Sequence, residues 1–246
     1  IHPATHLQRG LVFHSLNHPN DDAYRVQLLL DYACALDIKT YVKAWTLAAE
    51  TFPILRTSFD WEDGEIIQIV HRNAKLTEEN FEYVDLTSLS PDQQEIEIGN
   101  IQRLDRNKAF DLSQPKLIRF VVIKLAEQRY TLLKTEHHSI CDGWSIPLLL
   151  GAVHEYYDAS ENGGEIRVNP ENTYLDAQAF LSSQQKETDA FWQDKKALFE
   201  QANDVSVMFD KKVPLTDIDE ISNPSESTIR IDGDAYHELK TQRDVT

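Results

Sequence analysis

The sequence is poor in the residues that mark secreted, fibrous or membrane proteins. Its 246 residues include two cysteines, eight glycines and nine prolines, too few for a disulfide framework, a collagen-like repeat or a low-complexity chain. No apolar run reaches the roughly 20 residues that a membrane-spanning helix needs, and no signal peptide is visible. We therefore expect a cytoplasmic protein in which Cys34 and Cys141 are both reduced.

Positive charge is also scarce. The 24 lysines and arginines face 41 aspartates and glutamates, which gives a net charge of −17 at pH 7. Such a field repels nucleic acids and anionic membranes, so we expect neither as a partner. The sequence has no phosphate loop, dinucleotide-binding glycine motif or Cys-x-x-Cys pair, and His154-Glu155 lacks the second histidine of a zinc-protease helix. We therefore predict no metal ion and no directly bound cofactor.

The chain does contain enough apolar residues for a core, arranged in alternating β and α patterns. Hydrophobic residues make up 41% of the chain, and the alternation of predicted strands and helices indicates an α/β sandwich. The predicted helices cover residues 5–17, 38–52, 90–110, 146–157, 184–201 and 234–243, and the predicted strands cover residues 24–32, 54–61, 65–70, 81–86, 116–125, 129–136 and 227–232. The helix over 184–201 is expected to bury Phe191, Trp192, Leu198 and Phe199, and residues 210–224 are a predicted linker.

The chain is organised around residues 136–145, which read EHHSICDGWS and join a predicted strand to a predicted helix. Adjacent strand residues point to opposite faces, so one of His137 and His138 should face a cleft and the other the packed interior. An imidazole in a cleft could accept or donate a proton near neutral pH. Asp142 could orient a ring or pair with an arginine, and Gly143 permits a positive φ or a close backbone approach.

The pattern His-His-x-x-x-Asp-Gly-x-Ser resembles the central motif of the condensation domains of nonribosomal peptide synthetases. Two further segments agree in type and order. Residues 6–16 (HLQRGLVFHSL), which include Gln8, resemble the opening helix of that family, and residues 51–59 (TFPILRTSF) resemble its Leu-Arg-Thr-x-Phe segment. Residues 174–180 (YLDAQAF) are similar to a Tyr-x-Asp segment that usually ends in tryptophan, where this chain has Phe180.

The resemblance implies a chloramphenicol-acetyltransferase-like fold. In that fold two lobes, each a mixed sheet with packed helices, enclose a tunnel that holds the active site. Residues 1–205 resemble the N-terminal lobe, and residues 206–246 are expected to be a linker and the start of a truncated C-terminal lobe, because the later motifs of the family are absent. Since half of the tunnel wall would then be missing, we expect this piece alone to be inactive.

The resemblance also implies peptide-bond formation between a donor acyl or peptidyl thioester and an acceptor aminoacyl thioester. Both substrates would be attached to the phosphopantetheine arms of upstream and downstream carrier domains, with an adenylation domain as a neighbour. His138 matches the catalytic residue, as a base or by positioning the amine, and His137 matches a supporting residue. Asp142 is expected to be structural and to form a buried ion pair with Arg56. Gly143 is expected to offer its N–H to the thioester oxygen or to let the arm approach. Trp144 is expected to pack the substrate-side loop, and Ser145 is the predicted N-cap of the following helix.

Three other interpretations remain open. Epimerization domains share the double histidine, but their motif usually continues differently after Asp-Gly. Acyltransferases of the same superfamily that use coenzyme A often lack the first histidine, and a non-catalytic docking module would keep the fold without the chemistry. The sequence Gly143-Trp144-Ser145 favours condensation over epimerization, and His137 favours carrier-bound substrates. A nucleophilic role for Cys141 is disfavoured, because a small apolar side chain is the simpler interpretation.

Overall fold

The computed structural model describes residues 1–62, 64–166, 168, 173–199 and 229–242. The chain divides into two compact units, Ile1–Asn203 and Asp204–Thr246. In the described part of the chain, the second unit contains one helix and the first unit contains all the strands.

The elements are numbered in chain order. The strands are β1 (His2–Pro3), β2 (Arg25–Tyr32), β3 (Thr57–Asp60), β4 (Ile67–Val70), β5 (Phe81–Asp85), β6 (Ile118–Ala126) and β7 (Arg129–His137). The α-helices are α1 (His6–Asn17), α2 (Ile38–Thr51), α3 (Pro91–Arg106), α4 (Ser145–Glu161), α5 (Thr173–Lys195) and, in the second unit, α6 (Gly233–Gln242). Most of the predicted elements are confirmed.

The helices begin where capping side chains satisfy free backbone N–H groups. The Thr5 hydroxyl accepts from the backbone N–H of Gln8 at 3.1 Å, and the Gln8 side chain accepts from the backbone N–H of Thr5 at 3.0 Å. This reciprocal capping box starts α1. Asp37 accepts from the backbone N–H of Thr40 at 2.7 Å and is the N-cap of α2.

The larger sheet has the strand order β2-β7-β6-β5. β7 pairs antiparallel with β2 and β6, whereas β5 joins β6 in parallel. The sheet is therefore mixed, as the family resemblance implies. β6 and β7 are buried along nearly their whole length, which suits central strands with both faces covered.

Helices cover both faces of this sheet. On one face, Trp45 of α2 and Val153 of α4 join Phe120 of β6 in the main hydrophobic core. On the other face, Ile98 of α3 packs against a second buried cluster that includes Leu133 of β7. Successive strand residues enter alternate cores, so the expected α/β sandwich is confirmed.

A second, smaller antiparallel sheet has the strand order β1-β4-β3. β3 and β4 form the hairpin that the sequence predicts. Gln68, in the middle of β4, is completely buried. A buried amide must find its hydrogen-bond partners inside the protein, and those partners lie beside the candidate site.

Several predicted boundaries are wrong. The strand predicted from residue 54 begins at Thr57, because Pro53–Arg56 forms a 3-10 turn, and α3 ends at Arg106 instead of residue 110. The helix predicted from residue 184 begins at Thr173. Residues 229–232 form no strand, and the rest of that predicted strand and the predicted linker over 210–224 lie outside the described residues.

The predicted buried face of α5 and the turn after it is also wrong. The side chains of Phe191, Trp192 and Leu198 are all more than half exposed, and the side chain of Phe199 lies outside the described part. Gln178 is the buried residue of α5 among those that the structure describes. This helix is therefore attached to the lobe through polar contacts near its N-terminus.

Candidate active site

β7 delivers the two adjacent histidines to the edge of the core. The backbone N–H of His137 donates to the Leu117 carbonyl at 3.0 Å, and that of His138 donates to the Tyr24 carbonyl at 2.9 Å. His137 is the last residue of β7 and His138 follows it directly, so their side chains face different surroundings. His137 is 4% exposed, whereas His138 is exposed, as the strand geometry predicts.

The His137 ring is held by serine hydroxyls on both nitrogens. Its Nε2 lies 3.0 Å from Ser15 Oγ, and its Nδ1 lies 2.7 Å from Ser139 Oγ. The Ser15 hydroxyl donates to the Leu11 carbonyl, so Nε2–H donates to Ser15 and Nδ1 accepts from Ser139. Burial, together with the nearby charges of His138 and Arg25, lowers the pKa of His137 to about 4. His137 is therefore a neutral, packed residue.

The His138 ring has the opposite tautomer. Its Nδ1 lies 2.7 Å from the Cys141 carbonyl oxygen. Because a carbonyl can only accept, Nδ1 carries the proton and Nε2 carries the free lone pair. The side chain lines a cavity of about 240 Å³ in the first unit, which Ile54, Tyr174 and Gln178 also line. Such an imidazole can act as a general base toward a group bound in the cavity.

The Asp142 carboxylate closes the loop after the histidines. Oδ1 accepts from the backbone N–H of Ser145 at 2.8 Å, from the Ser145 hydroxyl at 2.6 Å and from the backbone N–H of Trp144 at 3.1 Å. These hydrogen bonds lower the pKa of Asp142. The predicted N-cap role of Ser145 is wrong, because Ser145 is the first residue of α4 and Asp142 satisfies the free N–H groups there.

The predicted Arg56–Asp142 ion pair is not formed. The Arg56 guanidinium donates from Nε to the Ala49 carbonyl at 2.7 Å and from Nη1 to the His71 carbonyl at 2.8 Å. Arg56 lies in the 3-10 turn after α2, so its side chain folds back onto the C-terminal carbonyls of that helix, where a positive charge is favourable. Asp142 has its donors within its own loop.

The rest of the loop is open. Nothing lies within 4 Å of the point where a Cβ of residue 143 would stand, and Gly143 has no positive φ. Trp144 is 88% exposed, so the expectation that it packs the loop is wrong. Cys141 is buried, and burial raises the pKa of its thiol to about 11, which makes it a poor nucleophile.

Sequence reasoning missed a cluster of glutamines beside the cavity. Gln8 Nε2 donates to the Ser139 carbonyl at 3.2 Å and ties α1 to the histidine loop. Gln68 bonds both Tyr174 and Gln178 of α5. The signal for Gln68 was its position between Ile67 and Ile69 in an apolar strand, where an amide must be buried and paired.

Comparison with known proteins decides the family. The Condensation domain family model matches residues 1–235. The chain belongs to the condensation-domain family. It is 30% identical over 241 residues to N-(5-amino-5-carboxypentanoyl)-L-cysteinyl-D-valine synthase of Penicillium rubens, covering 96% of this chain. It is 33% identical over 207 residues to a linear gramicidin synthase polypeptide of Brevibacillus parabrevis, covering 83% of this chain.

Solved condensation domains share the fold. The starter condensation domain of the rhizomide synthetase superimposes with a TM-score of 0.67 at 19% identity, over 82% of this chain and 51% of that chain. The first condensation domain of the calcium-dependent antibiotic synthetase gives a TM-score of 0.59 at 22% identity, over 68% of this chain and 39% of that chain. The predicted chloramphenicol-acetyltransferase-like lobe is confirmed.

The chain spans only part of its relatives. It covers 6% of the length of the Penicillium synthase and 4% of the gramicidin synthase polypeptide. No helix among the described residues is long and apolar enough to cross a membrane. No group of three or more His, Cys, Asp or Glu side chains in the described ranges could hold a metal ion.

Proposed function

We propose that this chain contributes the catalytic histidine lobe of an enzyme that forms peptide bonds between carrier-bound substrates. The donor is an acyl or peptidyl thioester, and the acceptor is an aminoacyl thioester. Family membership supports the reaction class, and one observation carries the assignment of His138. Its Nδ1–H bond to the Cys141 carbonyl leaves Nε2 as a free base on an exposed ring that lines a cavity.

The chemistry requires that a proton move from the acceptor nitrogen to the departing thiol, and a basic imidazole suits this task. The acceptor nitrogen bonds to the thioester carbonyl carbon, and His138 Nε2 takes a proton from that nitrogen. The C–S bond then breaks, and the proton returns to the departing thiol of the donor arm. A base of this kind contributes about 10²–10⁴ in rate, and holding the amine in place contributes comparably.

The neighbouring residues have supporting roles. His137 stays neutral and anchors the strand end through Ser15 and Ser139. Asp142 and Ser145 hold the loop against α4, which keeps the Cys141 carbonyl in place. Gly143 leaves open space in which an arm can pass, and Trp144 is exposed toward substrate or a partner surface. Arg56 acts on α2 and not on the loop.

The organisation of the whole protein follows the same proposal. Residues 1–205 form the N-terminal lobe, and residues 206–246 are a linker and the start of the C-terminal lobe. The division of the chain after Asn203 supports that boundary. The substrates arrive on the phosphopantetheine arms of upstream and downstream carrier domains, next to an adenylation domain, in the cytoplasm.

The test replaces His138 by alanine in the full-length protein that contains this chain. Carriers loaded with donor and acceptor thioesters are supplied, and release of the joined product is measured. We expect His138→Ala to lower the turnover at least a hundredfold and His237→Ala, on the exposed helix α6, to leave turnover unchanged. Full turnover by His138→Ala would refute the proposal.

A further inference from the structure

The cavity beside His138 contains a second polar group whose orientation can be worked out. Gln178 of α5 is 8% exposed, and Gln68 of β4 is completely buried. The two side-chain amides bond each other, with Gln68 Nε2 3.2 Å from Gln178 Oε1. Gln178 lines the His138 cavity, and it also lines the adjoining groove between α1 and α5.

A main-chain carbonyl determines which way both amides face. Gln68 Nε2 lies 3.1 Å from the Pro3 carbonyl oxygen, which can only accept, so this atom is the nitrogen. The other N–H of Gln68 then donates to Gln178, whose facing atom must be its oxygen. Gln68 Oε1 accepts from the Tyr174 hydroxyl, which completes the hydrogen bonds of the buried amide.

This arrangement leaves the amide nitrogen of Gln178 unused. Its oxygen is bound to Gln68, and no other residue that the structure describes accepts from its Nε2. Fully buried side-chain nitrogens that lack a partner do occur in this structure, but Gln178 Nε2 is not one of them. Since this atom has no acceptor among the described residues, it is accessible to solvent.

The other side-chain hydroxyls of the cavity wall already donate inside the protein. The Thr5 hydroxyl donates to Gln8, the Ser139 hydroxyl to His137, the Ser145 hydroxyl to Asp142, and the Tyr174 hydroxyl to Gln68. Among the described groups that line the cavity, the Gln178 N–H₂ is therefore a donor still available to a ligand.

We propose that Gln178 binds a carbonyl oxygen of the substrate in the His138 cavity. A donor N–H requires an acceptor, and the substrates of the proposed function offer thioester and amide carbonyl oxygens. The inference therefore rests on the proposed function for the identity of the ligand. Gln178 determines how one thioester-bearing arm is held while His138 takes the proton.

Two variants separate the donor from the shape of the side chain. Gln178→Met keeps the length but removes both the donor and the oxygen that accepts from Gln68. Gln178→Glu keeps an oxygen for Gln68 and replaces the donor by a second acceptor. Gln193→Glu makes the same charge change at an exposed position of the same helix, about 22 Å further along at 1.5 Å per residue, and serves as the control.

The experiment uses the full-length protein and measures kcat and KM separately for the donor and the acceptor thioester. We expect both Gln178 variants to raise the KM of one of the two substrates roughly tenfold, the loss of one well-placed hydrogen bond, with Gln193→Glu unchanged. Unfolding midpoints confirm that the variants are folded. Unchanged KM values in either folded variant would overturn the inference.

A binding measurement keeps this inference distinct from the proposed reaction. Acetyl-pantetheine thioester is titrated into the full-length protein by calorimetry. If the wild type forms no peptide bond but binds this probe, and Gln178→Met binds it roughly tenfold more weakly, Gln178 is a carbonyl site and the proposed reaction is wrong. Equal binding by wild type and Gln178→Met, or no binding by either, would contradict the role of Gln178.

Discussion

His137 and His138 are neighbours in sequence but hold opposite tautomers. Ser15 and Leu11 place the proton of His137 on Nε2, and the Cys141 carbonyl places the proton of His138 on Nδ1. The first ring is thus held in the packed interior by two serines, whereas the second ring is exposed, lines the cavity and keeps Nε2 as its basic nitrogen. Strand alternation separates the two rings, and the main-chain carbonyls of Leu11 and Cys141 assign their protons.

The depressed pKa of His137 makes stability depend on pH. Its pKa is about 4 in the folded protein, against an ordinary value of 6.5, so between these values the unfolded chain binds a proton that the folded chain does not. The contribution of neutral His137 to the free energy of unfolding is present above pH 6.5. It is lost as the pH falls toward 4, by about 3 kcal/mol in all. Urea unfolding of residues 1–246 at pH 7 and pH 4.5 should show a lower free energy of unfolding at pH 4.5. This loss should be smaller in His137→Asn than in the wild type. An equal loss in both proteins would contradict this account.

Lys134 and Glu136 of β7 form a buried ion pair, four and two residues before His138 in the sequence. Their charged atoms lie 2.7 Å apart at 0% and 1% side-chain exposure. Replacing one partner leaves an unpaired buried charge, so Lys134→Met or Glu136→Leu alone should lower the free energy of unfolding by about 3–5 kcal/mol. The double variant should recover most of that loss. Additive losses in urea unfolding would show that the pair is not coupled.

Arg56 and Asp142 should be energetically independent, because each has its own set of partners. We expect the effects of Arg56→Met and Asp142→Asn on the free energy of unfolding to add within about 0.5 kcal/mol in a double-mutant cycle. The ion pair inferred from the sequence would instead give a coupling energy of about 1 kcal/mol or more. The same urea unfolding measurements decide between the two.

The cap made by Asp142 should contribute to stability by itself. Asp142→Asn weakens three hydrogen bonds at the start of α4 and removes a negative charge from a helix N-terminus, which should cost about 1–2 kcal/mol. Glu155→Gln, exposed on the same helix, is the control and should change stability by less than about 0.5 kcal/mol. Equal effects of the two substitutions would rule out the cap.

The two cysteines should differ in reactivity. Cys34 is exposed and Cys141 is buried, with a thiol pKa of about 11. Since the thiolate is the reactive form, iodoacetamide at pH 8 should label Cys34 and leave Cys141 unmodified in the folded protein, as mass spectrometry can measure. Rapid labelling of Cys141 would reopen a nucleophilic role for that residue.

Local patterns predicted much of the fold and the opposite facing of the histidines. Strand alternation separates His137 from His138 without any tertiary information, and Thr5 and Asp37 mark the starts of α1 and α2 through capping. The partner of Arg56 could not be predicted, because it depends on the 3-10 turn that returns the side chain to α2. The orientation of Gln178 was equally hidden, since it depends on the carbonyl of Pro3, 175 positions away in the sequence.

The exposed aromatic residues of α5 show what the hydrophobic pattern of the sequence could not predict. Phe191 and Trp192 were expected in a core because large apolar residues usually are buried. In the structure α5 contacts the lobe through Gln178 and Tyr174 instead. Hydrophobicity alone does not say which surface a helix lies on, and here the polar residues near its N-terminus make the contact.

The most direct measurement compares His138→Asn with the wild type in single-turnover peptide release by the full-length protein. The asparagine N–H₂ can still donate to the Cys141 carbonyl, so the loop keeps its anchor while the basic Nε2 is lost. If His138 Nε2 accepts the proton, release should slow by about 10²–10⁴ with unchanged unfolding. Release at the wild-type rate would show that the ring serves only to hold the loop, and the central claim would be wrong.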